Sequence, residues 1–200
     1  MMHPLPVAFA VLAQCLDAEP LPACRSFIVT EAHVLARLTP DAGSGACCPE
    51  VLYTSYLSAE VAWMLNLGSG RAAVGVGVFG GREFAIDATQ LGVRARYRRW
   101  LGRHRAVDVG AGVVLTSVGA GGLTEHAGLT THAALDLGGW IRLAGGVDWV
   151  PALRYSTDYP PVPVRVSPSV YLGFSLTRTP ARLVWAAAGA GGLLAAAWDN

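Results

Sequence analysis

Three arginines at alternate positions, Arg94, Arg96 and Arg98, form the densest run of chemistry-bearing side chains in this sequence. In an extended segment, residues spaced by two point the same way, so their guanidinium groups would share one face. Such a row either binds an anion, as a site or selectivity ring, or pairs with carboxylates on neighbouring strands. The acids that could answer it are Glu31, Glu60, Asp108, Asp136 and Asp148, and two further bases, Arg37 and Arg142, occupy comparable places. Five acids against five arginines cancel, which favours an internal ion-pair network, because a lone buried charge is costly.

The other reactive residues are sparse. Ser117, Thr124, Glu125 and His126 could be drawn as a Ser-His-Glu hydrolase, but nothing in their spacing fixes a base against a nucleophile, and a solvated polar loop accounts for them. His33 and His132 read as hydrogen-bonded structural histidines and not as metal ligands. Cys15, Cys24, Cys47 and Cys48 match no zinc template; a Cys24 disulfide to Cys47 or Cys48 and free or cleaved-off thiols both remain open. The GREF stretch from Gly81 has neither a phosphate-loop lysine nor a following helix, so nucleotide binding has no support. No catalytic residue, cofactor or metal is assigned, and the chain is read as a non-enzyme.

The elements that must position the arginine row are strands. From about Ser26 the pattern alternates apolar with polar or glycine, the period of a strand with two environments. Leu91, Val93, Ala95 and Tyr97 alternate with the arginines, and Val107, Val109, Ala111, Val113 and Leu115 alternate with Asp108, Gly110 and Gly112. The same rhythm runs through 129–137, closed by Gly138 and Gly139, and through Ile141 to Trp149. Less regular strands are expected at 26–38, 51–67, 71–80 and 164–177. Connections alternate in length: 39–50, 81–87, 117–126 and 151–163 are long, whereas 68–70, 101–104 and 138–139 are tight. Glycines beside the long charged side chains, Gly75, Gly77, Gly110 and Gly112, make room for them.

Composition narrows the setting. The 200 residues are 52% hydrophobic with 24 Gly, yet they almost nowhere gather into the ~20-residue run a membrane helix needs. A formal net charge of +1 provides no bulk field for nucleic acid. All 15 basic residues are Arg, which carries little functional weight. Residues 1–24, with an apolar stretch from Leu5 to Ala13 but no basic residue before it, have the outline of an export signal or a disordered N-terminal segment.

Alternating strands, long loops on one rim, tight turns on the other and a final strand SPSVYLGFSLT from Ser167 resemble the small bacterial outer-membrane barrels of the OmpA-type and opacity-protein group. The resemblance covers 25–177 and implies an all-β, eight-stranded antiparallel up-and-down transmembrane barrel in the outer membrane. Such barrels usually end on an aromatic residue, whereas this chain continues to Asn200. The apolar extension 178–200 fits a further strand, a short helix, or a strand replacing the first in closing the barrel. Tyr53, Trp63, Trp100, Trp140 and Trp149 near strand ends read as an aromatic girdle.

The expected role is structural or surface-interacting, with membrane lipid as partner, an extracellular partner met through the long loops, a monomeric state and a filled interior. Two alternatives stand beside it. One is a lipid-modifying barrel enzyme using His126, and the other is a lipocalin-like barrel carrying a small apolar ligand.

Overall fold

The computed structural model describes residues 25–39, 55–68, 70–83, 88–102, 105–119, 122–124, 128–138, 140–150, 153–156, 159–163, 168–177 and 181. They form strands β1 (Ser26–Arg37), β2 (Ser55–Leu67), β3 (Ala72–Glu83), β4 (Ala88–Trp100), β5 (Ala106–Gly119), β6 (Gly122–Thr124), β7 (Gly128–Asp136), β8 (Ile141–Trp149), β9 (Leu153–Ser156), β10 (Tyr159–Pro163) and β11 (Ser169–Thr177). Each of β1, β2, β3, β4, β5, β7, β8 and β11 pairs antiparallel with the next, and β11 returns to β1 with Glu31 opposite Thr177 and Arg37 opposite Tyr171. The result is a closed eight-stranded antiparallel barrel. Closure gives each of the eight barrel strands a partner on both sides without a covering layer, while the short β6 is added at the end of β5.

Local chemistry explains the turns. Gly138 adopts φ 101°, and its N–H donates to Asp136 Oδ1 at 2.9 Å, so the aspartate that ends β7 also shapes the reversal. At the β2–β3 turn, Gly70 N–H donates to Leu67 C=O at 2.9 Å. The β4–β5 pair contains one irregularity: Leu91 faces Thr116 while Gly92 faces Val114, leaving Leu115 as an extra residue on β5.

Two long connections contain more order than their sequences announce. β5 runs on to Gly119 and pairs with β6, so 117–124 is largely a hairpin. Within 151–163, β9 and β10 form a second, separate hairpin. β3 extends past Gly80 to Glu83, and β11 is described only from Ser169. The extension 178–200, apart from Ala181, residues 1–24 and the cysteines Cys15, Cys24, Cys47 and Cys48 lie outside the described residues.

Alternation in the strands becomes inside and outside in the barrel. On the outer face, Val61, Val78, Val93, Val113, Leu129 and Trp149 follow one another across six neighbouring strands. A second row, Leu135, Leu143, Phe174, Val34 and Leu57, crosses β7, β8, β11, β1 and β2, so that between them the two rows reach every barrel strand. These side chains are not hidden: Val34 is 53% exposed and Phe174 58%. The core is therefore the barrel's own lumen, and its largest fully buried side chains include Glu31, Glu60 and Asp108 beside Phe27 and Met64.

Candidate functional site

The lumen is layered along its axis. Near the tight turns, Phe27, Val29, Ala62, Met64, Ala73, Trp100 and Ala106 pack into an apolar plug. Trp100 was expected in the lipid-facing girdle. It instead shares the parity of Arg94, Arg96 and Arg98, points inward, is 8% exposed and lies against Phe27 with ring centroids 5.9 Å apart. A single-residue shift of face is the whole difference, since parity alone decides which side of a strand a residue occupies.

Above the plug lies the ionic layer. Asp108 accepts a near-bidentate contact from Arg98, with Nη2 at 2.7 Å and Nε at 3.0 Å, and a further bond from Arg142 Nη1 at 2.8 Å. Glu31, fully buried, receives Arg96 Nη2 at 2.9 Å, Arg98 Nη2 at 3.2 Å and Arg142 Nη1. Glu60 receives Arg94 Nη1 at 2.6 Å and Arg96 Nη1 at 3.2 Å. Arg142 Nε reaches Asp136 Oδ2 at 3.3 Å. Eight of the ten charged residues read from the sequence thus join one lattice contributed by β1, β2, β4, β5, β7 and β8.

Glycines make the lattice fit. Arg94 lies between Gly77 and Gly112 on the flanking strands, and Arg96 between Gly75 and Gly110. A Cβ at Gly110 would come within 2.7 Å of Arg94 Cδ, and one at Gly77 within 2.6 Å of Glu60 Oε1. Phe79 supplies the remaining wall, with the Arg94 guanidinium carbon 4.4 Å from its ring centre.

A second polar group occupies the long-loop end. Arg37 Nη1 donates to Glu83 Oε1 at 3.0 Å, Arg37 Nη2 to Ser169 Oγ at 2.8 Å, and Tyr171 O–H to Glu83 Oε2 at 3.2 Å. Tyr56 stacks obliquely on Tyr171 with ring centres 5.1 Å apart. Glu83 was missed in the sequence because 81–87 read as loop; its even spacing from Gly77, Phe79 and Gly81 is the signal that would have placed it inside. It changes the interior to six acids against five arginines.

Asp148 stands apart. It is buried and makes no ion pair among the described residues, sharing a hydrogen bond with Thr130, whose Oγ1 also accepts Arg94 Nη2 at 3.3 Å. His33 and His132 meet edge to face with ring centres 4.9 Å apart. Both nitrogens of His33 and Nε2 of His132 lack a hydrogen-bond partner among the described residues, so these rings are held by packing and by each other, not by the hydrogen bonds expected of them. His33 Nε2 lies 3.7 Å from Glu31 Oε2, and no group of three donors that could hold a metal occurs among the described residues.

The remaining aromatic residues distribute over both rims. Trp140 is 62% exposed in the β7–β8 turn, Trp149 is exposed at the long-loop end of β8, and Trp63 faces outward between Ile28 and Val76. Tyr53, Glu125 and His126 lie outside the described residues, and the side chains of Ser117 and Thr124 are likewise not described.

The donors of Arg96 and Arg98 converge on carboxylates of this chain and not on a shared open point, so the row works as a cross-brace. Comparison with protein-family models, with curated proteins and with solved structures gives no match.

Proposed function

We propose that this chain is a bacterial outer-membrane β-barrel of structural or surface-interacting role, with a sealed interior, turns toward the periplasm and long loops outward. One observation carries the reading: the outer wall is apolar in continuous rows while the lumen holds the charges. A water-soluble barrel has the opposite arrangement, and exposed apolar patches beyond a few hundred Å² mark contact with lipid or protein. Rows of Val, Leu and Phe across neighbouring strands suit hydrocarbon, and tryptophans at both rims suit its boundaries. The same observation weighs against a lipocalin-like carrier, whose lumen would be apolar and open.

Fractionation of expressing cells combined with a denaturing gel tests the proposal. The chain is expected in the membrane fraction, released only by detergent, and to migrate differently before and after boiling, because a closed barrel stays compact until heated. Recovery in aqueous buffer without detergent, with migration indifferent to boiling, would refute it.

A further inference from the structure

The tight-turn rim carries charges that the interior does not use. Arg25, Arg71, Arg99 and Arg105 are all exposed and make no ion pair among the described residues. Their backbones are fixed: Asn66 N–H donates to Arg25 C=O at 3.0 Å, Trp100 N–H to Arg71 C=O at 3.0 Å, and Leu101 N–H to Arg105 C=O at 2.8 Å. Arg99 lies in register between Ala72 of β3 and Val107 of β5. Arg71 and Arg105 immediately precede β3 and β5, the two strands that flank Arg99, so the three gather at the same end of neighbouring strands. The acid described at this rim, Asp136, is engaged by Arg142 and by Gly138 N–H.

A second observation concerns the turns themselves. Each of the three exposes a leucine: Leu67 at 42%, Leu101 at 60% and Leu137 at 62%. Trp140 adjoins the last. Turns that project into water favour small polar residues. Leucine, tryptophan and arginine together instead match the boundary between acyl chains and headgroups, where arginine can extend its apolar stem along the wall and hold its charge at the phosphate.

We propose that this rim is a docking surface for anionic phospholipid headgroups, the arginines binding lipid phosphates while the turn leucines and Trp140 enter the acyl boundary. Free phosphate would satisfy the arginines but leave the leucines facing water, so the lipid is the occupant that uses both features. The inference rests on the membrane reading above.

The full chain, refolded into vesicles of equal parts phosphatidylcholine and phosphatidylglycerol, tests it when bromine is placed on the acyl chains of one lipid or the other. Brominated phosphatidylglycerol should quench tryptophan fluorescence more strongly, with a preference of about fivefold for one arginine–phosphate contact. The preference should fade in high salt, shrink in the combined Arg25→Gln, Arg71→Gln, Arg99→Gln, Arg105→Gln variant, and be reduced by Trp140→Phe. Equal quenching by both lipids, or a preference indifferent to salt, overturns the proposal. The salt titration needs no variant and so decides even if the quadruple substitution fails to fold. Failure to insert into any vesicle would sink the membrane reading and this inference with it, whereas insertion with equal quenching sinks this inference alone.

Discussion

Glu31 is the residue on which three guanidinium groups depend, and its removal tests whether the lattice or the apolar plug dominates stability. Replacing Glu31 by Ala leaves Arg94, Arg96, Arg98 and Arg142 with only Glu60, Asp108 and Asp136, a net positive charge in a place water scarcely reaches. Breaking a buried ion pair from one side typically costs about 3–5 kcal/mol. Asp148→Asn should behave in the opposite way, because Asp148 makes no ion pair among the described residues and an amide keeps the hydrogen bond to Thr130. Its stability should stay within about 1 kcal/mol of the parent, or rise. Urea unfolding in detergent micelles, followed by the gel shift, measures both. Similar losses in the two variants would show that burial, and not pairing, sets the cost of an interior charge.

At the scale of strands, the glycines that pack β4 between its neighbours separate two effects that a sequence cannot distinguish. A Cβ at Gly112 would lie 2.1 Å from the Val93 carbonyl oxygen and 2.7 Å from Arg94 Cα, whereas at outward-facing Gly80 the nearest atom would be 3.7 Å away. Gly112→Ala should therefore destabilise by roughly 1–3 kcal/mol through forced backbone movement. Gly80→Ala should be neutral or stabilising by up to about 1 kcal/mol, since it only restricts the unfolded chain. Unfolding midpoints of the two variants decide, and equal effects would contradict the packing described. These strands also mark how far the sequence could be read. Period-two alternation located all eight barrel strands and put Arg94, Arg96 and Arg98 opposite Leu91, Val93 and Tyr97, because a strand's facing follows from parity alone. Parity also held the answer for Trp100 and Glu83. The girdle habit of tryptophan outweighed it in the first case, and the loop-like glycines Gly80 and Gly81 did so in the second. The hairpins β5–β6 and β9–β10 were hidden for another reason: Gly and Pro in those segments match turn chemistry, and pairing between short strands is set by contacts distant from local propensity.

For the whole molecule, the layered lumen predicts an ion-tight barrel with redundant seals. An eight-stranded barrel is wide enough only for its own side chains, and here three different chemistries fill it in series. Phe27, Met64 and Trp100 close the turn end, the lattice around Glu31 and Asp108 closes the middle, and Arg37, Glu83, Tyr56 and Tyr171 occupy the loop end. Ions crossing such a series must breach each layer, so opening one leaves the others in place. In planar bilayers the unaltered chain should show no stable conductance, and Trp100→Ala combined with Met64→Ala should remain closed while losing stability. The ionic layer is the harder seal, because its arginines cross-link six strands and a gap there exposes unpaired charge that attracts water. Conductance should appear only when Glu31→Ala and Asp108→Ala are added to the plug variant, provided that the barrel still migrates as a folded species. A stable open channel in the unaltered chain, or in the plug variant alone, would mean that the lattice rearranges under voltage and is not the barrier its geometry describes.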